Sequence, residues 1–555
     1  MRPLYFYIEV FFFFLLCFGT LFLNSSSFVN VRIDLKWYFF IFCSAAIVIT
    51  FAARSVFSDR KNLRIDYLVL PVCLIITTIC VIQAFYGIAQ YMCLLPAFEI
   101  YRVIGSFDNP AGFAACLCAG FPFFFYFLAK KQLWIRCVSI AGMIIVGLAV
   151  FLSGSRAGML SLAVVCMSGF FYFYHIRVRQ KLLVGIIFAT LMGSLYFMKK
   201  DSADGRLLIW RCSWEMIKDE PITGYGTGGF KANYMNYQAR YFEENPNSKY
   251  VRLADNTSHP FNEYAGLLVN YGLAGFLFLI SLLFYLIRTF RQNTNKTLFT
   301  YIACWCLTAI AVFAFFSYPL RYPFVWVILL LNALTIIRGN QCYLRHLRSI
   351  KKIIPVLILL LASIICIKNY TQLRAQMKWC KVAHLSLAGQ TEQMLPEYRL
   401  LHNKLSNNEL FLYNYAAELN FSKHYEESQS IARECECLWA DYDLQMLMAD
   451  NFQQLKNYTE AEQHYRKAAT MCPAKFTPLY KLAKMYEKTE RRSEAVTVAE
   501  QLVNKPIKMA SPLITIIQQE MRRMVEKEKN RKLQNEKKRQ GETPDVQSSG
   551  IALPP

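Results

Sequence analysis

The sequence predicts an all-α protein in two parts. Residues 1–367 form a polytopic bundle of about eleven transmembrane helices, and 370–505 form a soluble helical-repeat region, followed by a charged helix and disordered tail over 506–555. Three observations predict this. Residues 1–367 carry run after run of Phe, Leu, Ile and Val, each long enough to cross the roughly 30 Å hydrocarbon core of a bilayer. Lys and Arg crowd into alternate loops between those runs. Beyond residue 370 the chain turns rich in Glu, Lys, Gln and Asn and takes up a period of about 34 residues.

The apolar runs place spans at 5–23, 36–53, 66–86, 111–128, 133–152, 157–174, 182–198, 264–287, 298–316, 322–337 and 352–367. The first follows Arg2 as a signal peptide would. Leu23-Asn24-Ser25-Ser26 is a poor cleavage site, however, and more spans follow, so it reads as a retained anchor. With the N-terminus in the cytoplasm, nineteen cations fall on that side: Arg2, Arg54, Arg60, Lys61, Arg64, Lys130, Lys131, Arg136, Arg177, Arg179, Lys181, Arg288, Arg291, Lys296, Arg338, Arg345, Arg348, Lys351 and Lys352. The short external loops hold five: Arg32, Lys36, Arg102, Arg156 and Arg321. Positive residues resist translocation, so this imbalance sets the orientation and requires an odd number of spans. In a bacterial inner membrane the hydrophilic loop from about 199 to 262 and everything after 368 then face the periplasm, out of reach of cytoplasmic ATP and nucleotide sugars.

Much of the Lys and Arg behind the formal net charge of +23 lies in these short loops, where it sets orientation, and no nucleic-acid partner is expected. Many of the 18 Cys sit within apolar runs (Cys17, Cys43, Cys73, Cys80, Cys116, Cys118), where Cys acts as a small hydrophobe. Cys435 and Cys437 are one residue apart, with no partner pair or His at ligand distance, so neither a zinc site nor a disulfide framework is expected. The external loops lack an acidic cluster, and the expectation is chemistry without metal or cofactor.

Between 409 and 505 the repeat has the period of tetratricopeptide helix pairs. Met448, Ala449, Phe452, Ala461, Tyr465, Ala468 and Pro473 take the small and large packing positions of one unit; Leu482, Ala483, Tyr486 and Ala495 recur in the next, and Ala416, Leu419 and Ser428 in the one before. Residues 370–404 supply a degenerate fourth. Small residues let paired helices approach and aromatics fill the gap, so the region is expected to dock a protein partner and to carry no chemistry of its own.

Chemistry is expected in the external loop. The stretch from Asp204 to Glu220 reads as a helix ended by Pro221, with Arg206, Trp210 and Trp214 on one face. That face suits an interfacial helix with Trp at headgroup depth, and equally a surface where Arg206 and Arg211 fork onto the phosphates of a lipid substrate. Thr223-Gly224-Tyr225-Gly226-Thr227-Gly228-Gly229 lacks the Lys-Ser/Thr ending of a nucleotide loop and reads as a plain turn. Ser258-His259-Pro260-Phe261-Asn262-Glu263 leads into a span through Asn270-Tyr271-Gly272. Here His259 is either a general base or a polar interface residue. Arg156, in Ser153-Gly154-Ser155-Arg156, stands at an external span end, where it either snorkels or binds.

The order of five segments resembles the O-antigen ligase and polymerase superfamily over about residues 60–335. They are Gly105 to Gly112, Ser153 to Gly158, Arg206 with Trp210, Pro221 to Gly226, and His259 to Gly272. The resemblance implies transfer of a glycan from an undecaprenyl diphosphate carrier to an acceptor hydroxyl on lipid A core, on glycan or on protein. Arg206, Arg156 and Arg211 would stabilise the departing diphosphate, and Trp210, Asn262 and Glu263 would bind substrate. His259 would deprotonate or orient the acceptor hydroxyl. In one respect the sequence departs from the pattern: the superfamily's loop places its functional His directly before the Asn, whereas Phe261 stands there and His259 lies two residues earlier. Ligase-like chemistry is the expectation, with polymerase and protein O-oligosaccharyltransferase as variants. A transporter or flippase would show broken helices with polar residues near the midplane, and a scaffold would not need so many spans.

Overall fold

The computed structural model of this chain describes residues 2–57, 66–96, 101–174, 185, 193, 200–294, 296–338 and 353–540. The expected span over 182–198, apart from residues 185 and 193, lies outside the described residues. So do the tail over 541–555 and the cations Arg60, Lys61, Arg64, Arg177, Arg179, Lys181, Arg345, Arg348, Lys351 and Lys352. The chain divides into two units: Met1–Tyr234 with Thr257–Glu418, and Met235–Asn256 with Leu419–Pro555. A 22-residue piece of the hydrophilic loop thus belongs to the C-terminal unit.

The first unit is helical because its apolar runs must satisfy their backbone polar groups internally. Its helices among the described residues are α1 (Arg2–Phe22), α2 (Asp34–Phe57), α3 (Asp66–Tyr91), α4 (Pro110–Gly120), α5 (Phe124–Leu128), α6 (Leu133–Leu152), α7 (Arg156–Phe173), α8 (Lys200–Asp219), α9 (Gly229–Glu244), α10 (Glu263–Gln292), α11 (Leu298–Phe316), α12 (Pro323–Arg338), α13 (Ile353–Leu385), α14 (Thr391–Leu405) and α15 (Glu409–Phe421). The ends of α9 and α15 pass into the second unit. Among the described residues seven helices are long and apolar enough to cross a membrane, and two shorter apolar helices cover Phe6–Phe22 and Pro323–Arg338. A buried cluster including Ile76, Phe113, Phe124, Val150, Phe313 and Phe324 joins α3, α4, α5, α6, α11 and α12.

Caps fix where the helices begin. Asn109 Oδ1 accepts from Gly112 N at 2.9 Å, with Pro110 pre-set for the first turn. Ser155 Oγ accepts from Gly158 N at 3.3 Å. Asn262 Oδ1 accepts from Tyr264 N and Ala265 N at 3.0 and 3.1 Å. Helix α10 is broken at Gly272 (φ 59°, ψ −158°), and the glycine-rich turn fills the break. Tyr225 N and Gly226 N donate to Val269 O and Asn270 O at 3.0 and 2.8 Å, while Leu273 N and Ala274 N donate to Pro221 O and Ile222 O at 2.8 and 3.1 Å. Phe230 N adds a bond to Asn270 Oδ1 at 2.9 Å. The turn is therefore a backbone splice that satisfies the groups freed by the break.

In the second unit short helices alternate. Tyr425–Glu436, Tyr442–Gln454, Tyr458–Met471, Thr477–Lys488 and Arg492–Asn504 follow one another, and Pro512–Gln540 packs on the last of them. Apart from Pro473, the residues predicted to fill the packing positions, from Ala416 and Leu419 through Phe452 and Tyr465 to Tyr486 and Ala495, are all buried. The loop piece is held within this unit by Gln238 Nε2, which donates to Met471 O at 2.7 Å, and by Asn256, which donates to Asp441. Ion pairing of Lys508 with Asp255 at 3.7 Å adds to this.

Candidate functional site

Of the residues that the sequence singled out, Arg156, Arg206, Trp210, His259, Asn262 and Glu263 gather where α2, α4, α7, α10 and α12 begin and α11 ends, and Arg211 does not join them. Hydrogen bonds tie these ends together. Arg206 Nη1 donates to Phe316 O at 2.7 Å, Arg156 Nη2 to Ser202 Oγ at 3.1 Å and Trp210 Nε1 to Pro260 O at 3.1 Å. Four of the five cations assigned to one side of the membrane meet here: Arg32 donates to Phe107 O at 2.7 Å, Lys36 to Ser106 O at 2.6 Å, and Arg156 and Arg321 complete the set. Lys36 is buried and lies 4.0 Å over the Phe107 ring, which pins the Gly105–Asp108 turn from beneath.

Between these cations runs an aromatic stack. The Arg206 guanidinium lies 5.4 Å from the Phe261 ring centre, Phe261 packs on Tyr318 at 5.2 Å, and Tyr318 packs on the His259 ring at 4.7 Å. Arg321 closes the far end, donating from Nη1 to His259 Nε2 at 3.0 Å and pairing through Nη2 with Asp108 Oδ2 at 3.2 Å. Phe261 holds φ at 52°, a conformation costing a bulky residue roughly 1–2 kcal/mol, and its ring is thereby set between Arg206 and Tyr318. Phe261, the residue directly before Asn262, is thus the central ring of this wall.

The two arginine poles differ in charge balance. Arg321 is neutralised by Asp108, which also accepts from Tyr322 OH at 3.2 Å and from Asn109 Nδ2 at 3.1 Å. Among the described residues Arg206 has no carboxylate partner. Burial, and then the nearby charge of Arg156, bring its pKa down to about 10, which leaves it protonated at neutral pH. A half-buried guanidinium that has a second one nearby and, among the described residues, no carboxylate partner of its own is suited to an anion. His259 is pushed the other way from a charged state: burial first, then Arg321 and Lys231, lower its pKa to about 3. The imidazole is therefore neutral, and because Arg321 can only donate, Nε2 accepts and the proton sits on Nδ1.

The remaining expected residues have structural work at this end. Asn262 is buried, and its oxygen caps α10. Glu263 Oε1 accepts from Leu320 N at 3.0 Å. Trp210 also packs edge-on against Phe315. Arg211 is exposed on α8, away from the face that carries Arg206 and Trp210. The sequence reading missed Asp108, Tyr318 and Lys36 as site residues and counted Arg321 only for orientation. The available signal was a charge or Tyr beside Pro at a span end, as in Asp108-Asn109-Pro110 and Tyr318-Pro319-Leu320-Arg321. Among the described residues no group of three or more His, Cys, Asp or Glu is arranged to hold a metal ion.

A family model described as O-antigen ligase matches residues 141–280, about a quarter of the chain. The matched stretch takes in Arg156, Arg206, Trp210, Arg211, His259, Asn262, Glu263 and the Gly272 splice, and leaves out Asp108 and Arg321. Over these residues the chain is similar to O-antigen ligases, which supports that superfamily and, at its level, glycosyl transfer in a multi-pass membrane protein. No curated protein matches the chain.

Proposed function

We propose that this protein transfers an oligo- or polysaccharide from an undecaprenyl diphosphate carrier to an acceptor hydroxyl at the outer leaflet of a bacterial inner membrane, as an O-antigen ligase does. The observation that carries this reading is Arg206, a half-buried guanidinium with Arg156 near it and, among the described residues, no carboxylate partner. In the reaction the acceptor oxygen forms a bond to the anomeric carbon, the bond from that carbon to the diphosphate oxygen breaks, and the electron pair leaves with the diphosphate. Arg206 and Arg156 meet the charge that develops there, and Arg211 approaches the lipid-phosphate side. With Nε2 of His259 engaged by Arg321, orientation of the acceptor suits this residue better than deprotonation. The hydroxyl proton then passes to a diphosphate oxygen, a base that the donor itself brings. Trp210, Asn262 and Glu263 hold the walls of the site.

The reading keeps about eleven spans, a cytoplasmic N-terminus and a periplasmic loop and C-terminal region, on the strength of the Lys and Arg alternation. It also takes the alternating C-terminal helices as tetratricopeptide-like repeats that dock a protein. Supporting this is a polar hollow of about 340 Å³ lined by Asn420, Tyr425, Asp450, Gln453, Tyr480 and Lys484. Polymerase and protein O-oligosaccharyltransferase chemistry use the same donor and remain the alternatives within the class; a flippase is the alternative outside it. The break in α10 does not favour a flippase, because its freed backbone groups are bonded to the glycine-rich turn.

The test is transfer from carrier-linked glycan by the purified full chain, with surface polysaccharide compared on gels after complementation of a deletion strain at matched membrane levels. Loss of long-chain product with accumulation of carrier-linked glycan in Arg206→Ala supports the reading. Normal product from that variant rejects it. Turnover that vanishes with chelator and returns with magnesium would reject the metal-free scheme.

A further inference from the structure

Arg321 is held from more directions than a snorkelling cation requires. It ends the turn Pro319–Arg321, and that turn is fixed from three helices. Trp37 Nε1 of α2 donates to Arg321 O at 3.1 Å, Trp326 Nε1 of α12 donates to Leu320 O at 2.7 Å, and Glu263 of α10 accepts from Leu320 N at 3.0 Å. Its guanidinium is then divided between Asp108 on one side and His259 on the other. Asp108 is itself steadied by Tyr322 and by Asn109, the cap of α4. A planar fork with five donors can hold a carboxylate and an imidazole at once, whereas an ammonium on a flexible stem would not fix both.

We infer that Arg321 is a positioning residue that, anchored by Asp108, occupies Nε2 of His259 and leaves Nδ1–H as the imidazole's working edge. His259 then meets its substrate as a neutral hydrogen-bond donor to an oxygen of the diphosphate or of the acceptor, and never as a proton acceptor. This deepens the transferase reading and rests on it for the identity of that oxygen, while the state of the imidazole rests on the Arg321 contact together with burial and the nearby cations. The charged and titratable groups around the ring are Arg321 and Lys231, both cationic, Tyr318 stacked on its face, and Asp108 beyond the guanidinium. Lys231 in turn pairs with Glu409. With two cations and burial acting together, protonation of His259 is opposed across the physiological range.

The test reads the imidazole directly, by carbethoxylation of His259 with diethyl pyrocarbonate in the full-length protein in detergent, followed by peptide mass. In the wild type His259 reacts slowly and its rate changes less than twofold between pH 5.5 and 8. In Arg321→Gln, with Nε2 released, it reacts several-fold faster at every pH, and because burial and Lys231 still oppose protonation the rate stays nearly level down to pH 5.5. Asp108→Asn, nearly isosteric, releases Arg321 and raises the rate in the same direction. A wild-type midpoint near 6.5, or an Arg321→Gln profile identical to wild type, overturns the inference. If the wild type transfers no glycan, the transferase reading fails while the labelling still decides the role of Arg321. An acidic limb near pH 6.5 in wild-type transfer that His259→Asn abolishes counts against the donor role.

Discussion

Gly272 and Gly224 meet backbone to backbone, so closely that a Cβ on Gly272 would lie 2.8 Å from the amide nitrogen of Gly224 and 2.3 Å from Ile222 O. Both hold positive φ, 59° and 66°. The two motifs Pro221 to Gly226 and Asn270 to Gly272 are thus halves of one joint that carries α8 and α10 together.

From this joint follows a graded glycine series. Gly272→Ala and Gly224→Ala each meet backbone atoms under 3 Å and a strained φ, and are expected to destabilise by more than about 2 kcal/mol. Gly226→Ala, at φ 81° with nothing within 4 Å, bears the conformational penalty alone, about 1 kcal/mol. Thermal unfolding of the detergent-solubilised chain should rank the three in that order; equal shifts would remove the joint.

Charge alone should not rescue Arg206. Arg206→Lys retains the cation but loses the planar fork that reaches Phe316 O, and transfer should fall about 10-fold to 100-fold. Arg206→Ala should fall about 10-fold further, with little change in stability. Arg211→Ala, exposed on another face of α8, is expected to cost less than Arg206→Lys. A reversed order in a carrier-linked transfer assay would move the anion site to Arg211.

Phe261 separates strain from function. Phe261→Gly relieves the positive φ yet removes the ring between Arg206 and Tyr318. The expected result is unchanged or raised thermal stability with transfer reduced about 10-fold or more. Full activity in Phe261→Gly would show that the aromatic wall contributes nothing.

The C-terminal unit holds its loop piece in part through Gln238 and Asn256. Gln238 is buried, and Gln238→Ala leaves Met471 O without its donor, at a cost of roughly 1–3 kcal/mol. Together with Asn256→Ala, limited proteolysis should open the chain between 235 and 256 before it cuts the helices. Cleavage elsewhere first would mean that the segment is secured by other contacts.

Much was legible in the sequence because the physics is local. Run length against bilayer thickness located the apolar helices, Arg206 and Trp210 shared a face because a helix turns every 3.6 residues, and small residues at a fixed period marked the buried positions of Ala416, Ala449 and Ala483. Asn109, Ser155 and Asn262 could be placed at helix starts by the same reasoning.

Tertiary structure decided what depends on pairs far apart in sequence. Asp108 and Arg321 form their ion pair across more than two hundred residues, and no periodicity announces it. Arg321 fixes the tautomer of His259 through one donor at 3.0 Å, a geometry that spacing does not encode. Likewise the glycine-rich turn looked like any turn until the break at Gly272 supplied the carbonyl and amide groups it binds. The sequence specified which groups exist and which face of a helix they share. Only packing, which brings helix ends together and removes water from between them, determined that among the described residues Arg206 has no carboxylate partner while Arg321 has Asp108.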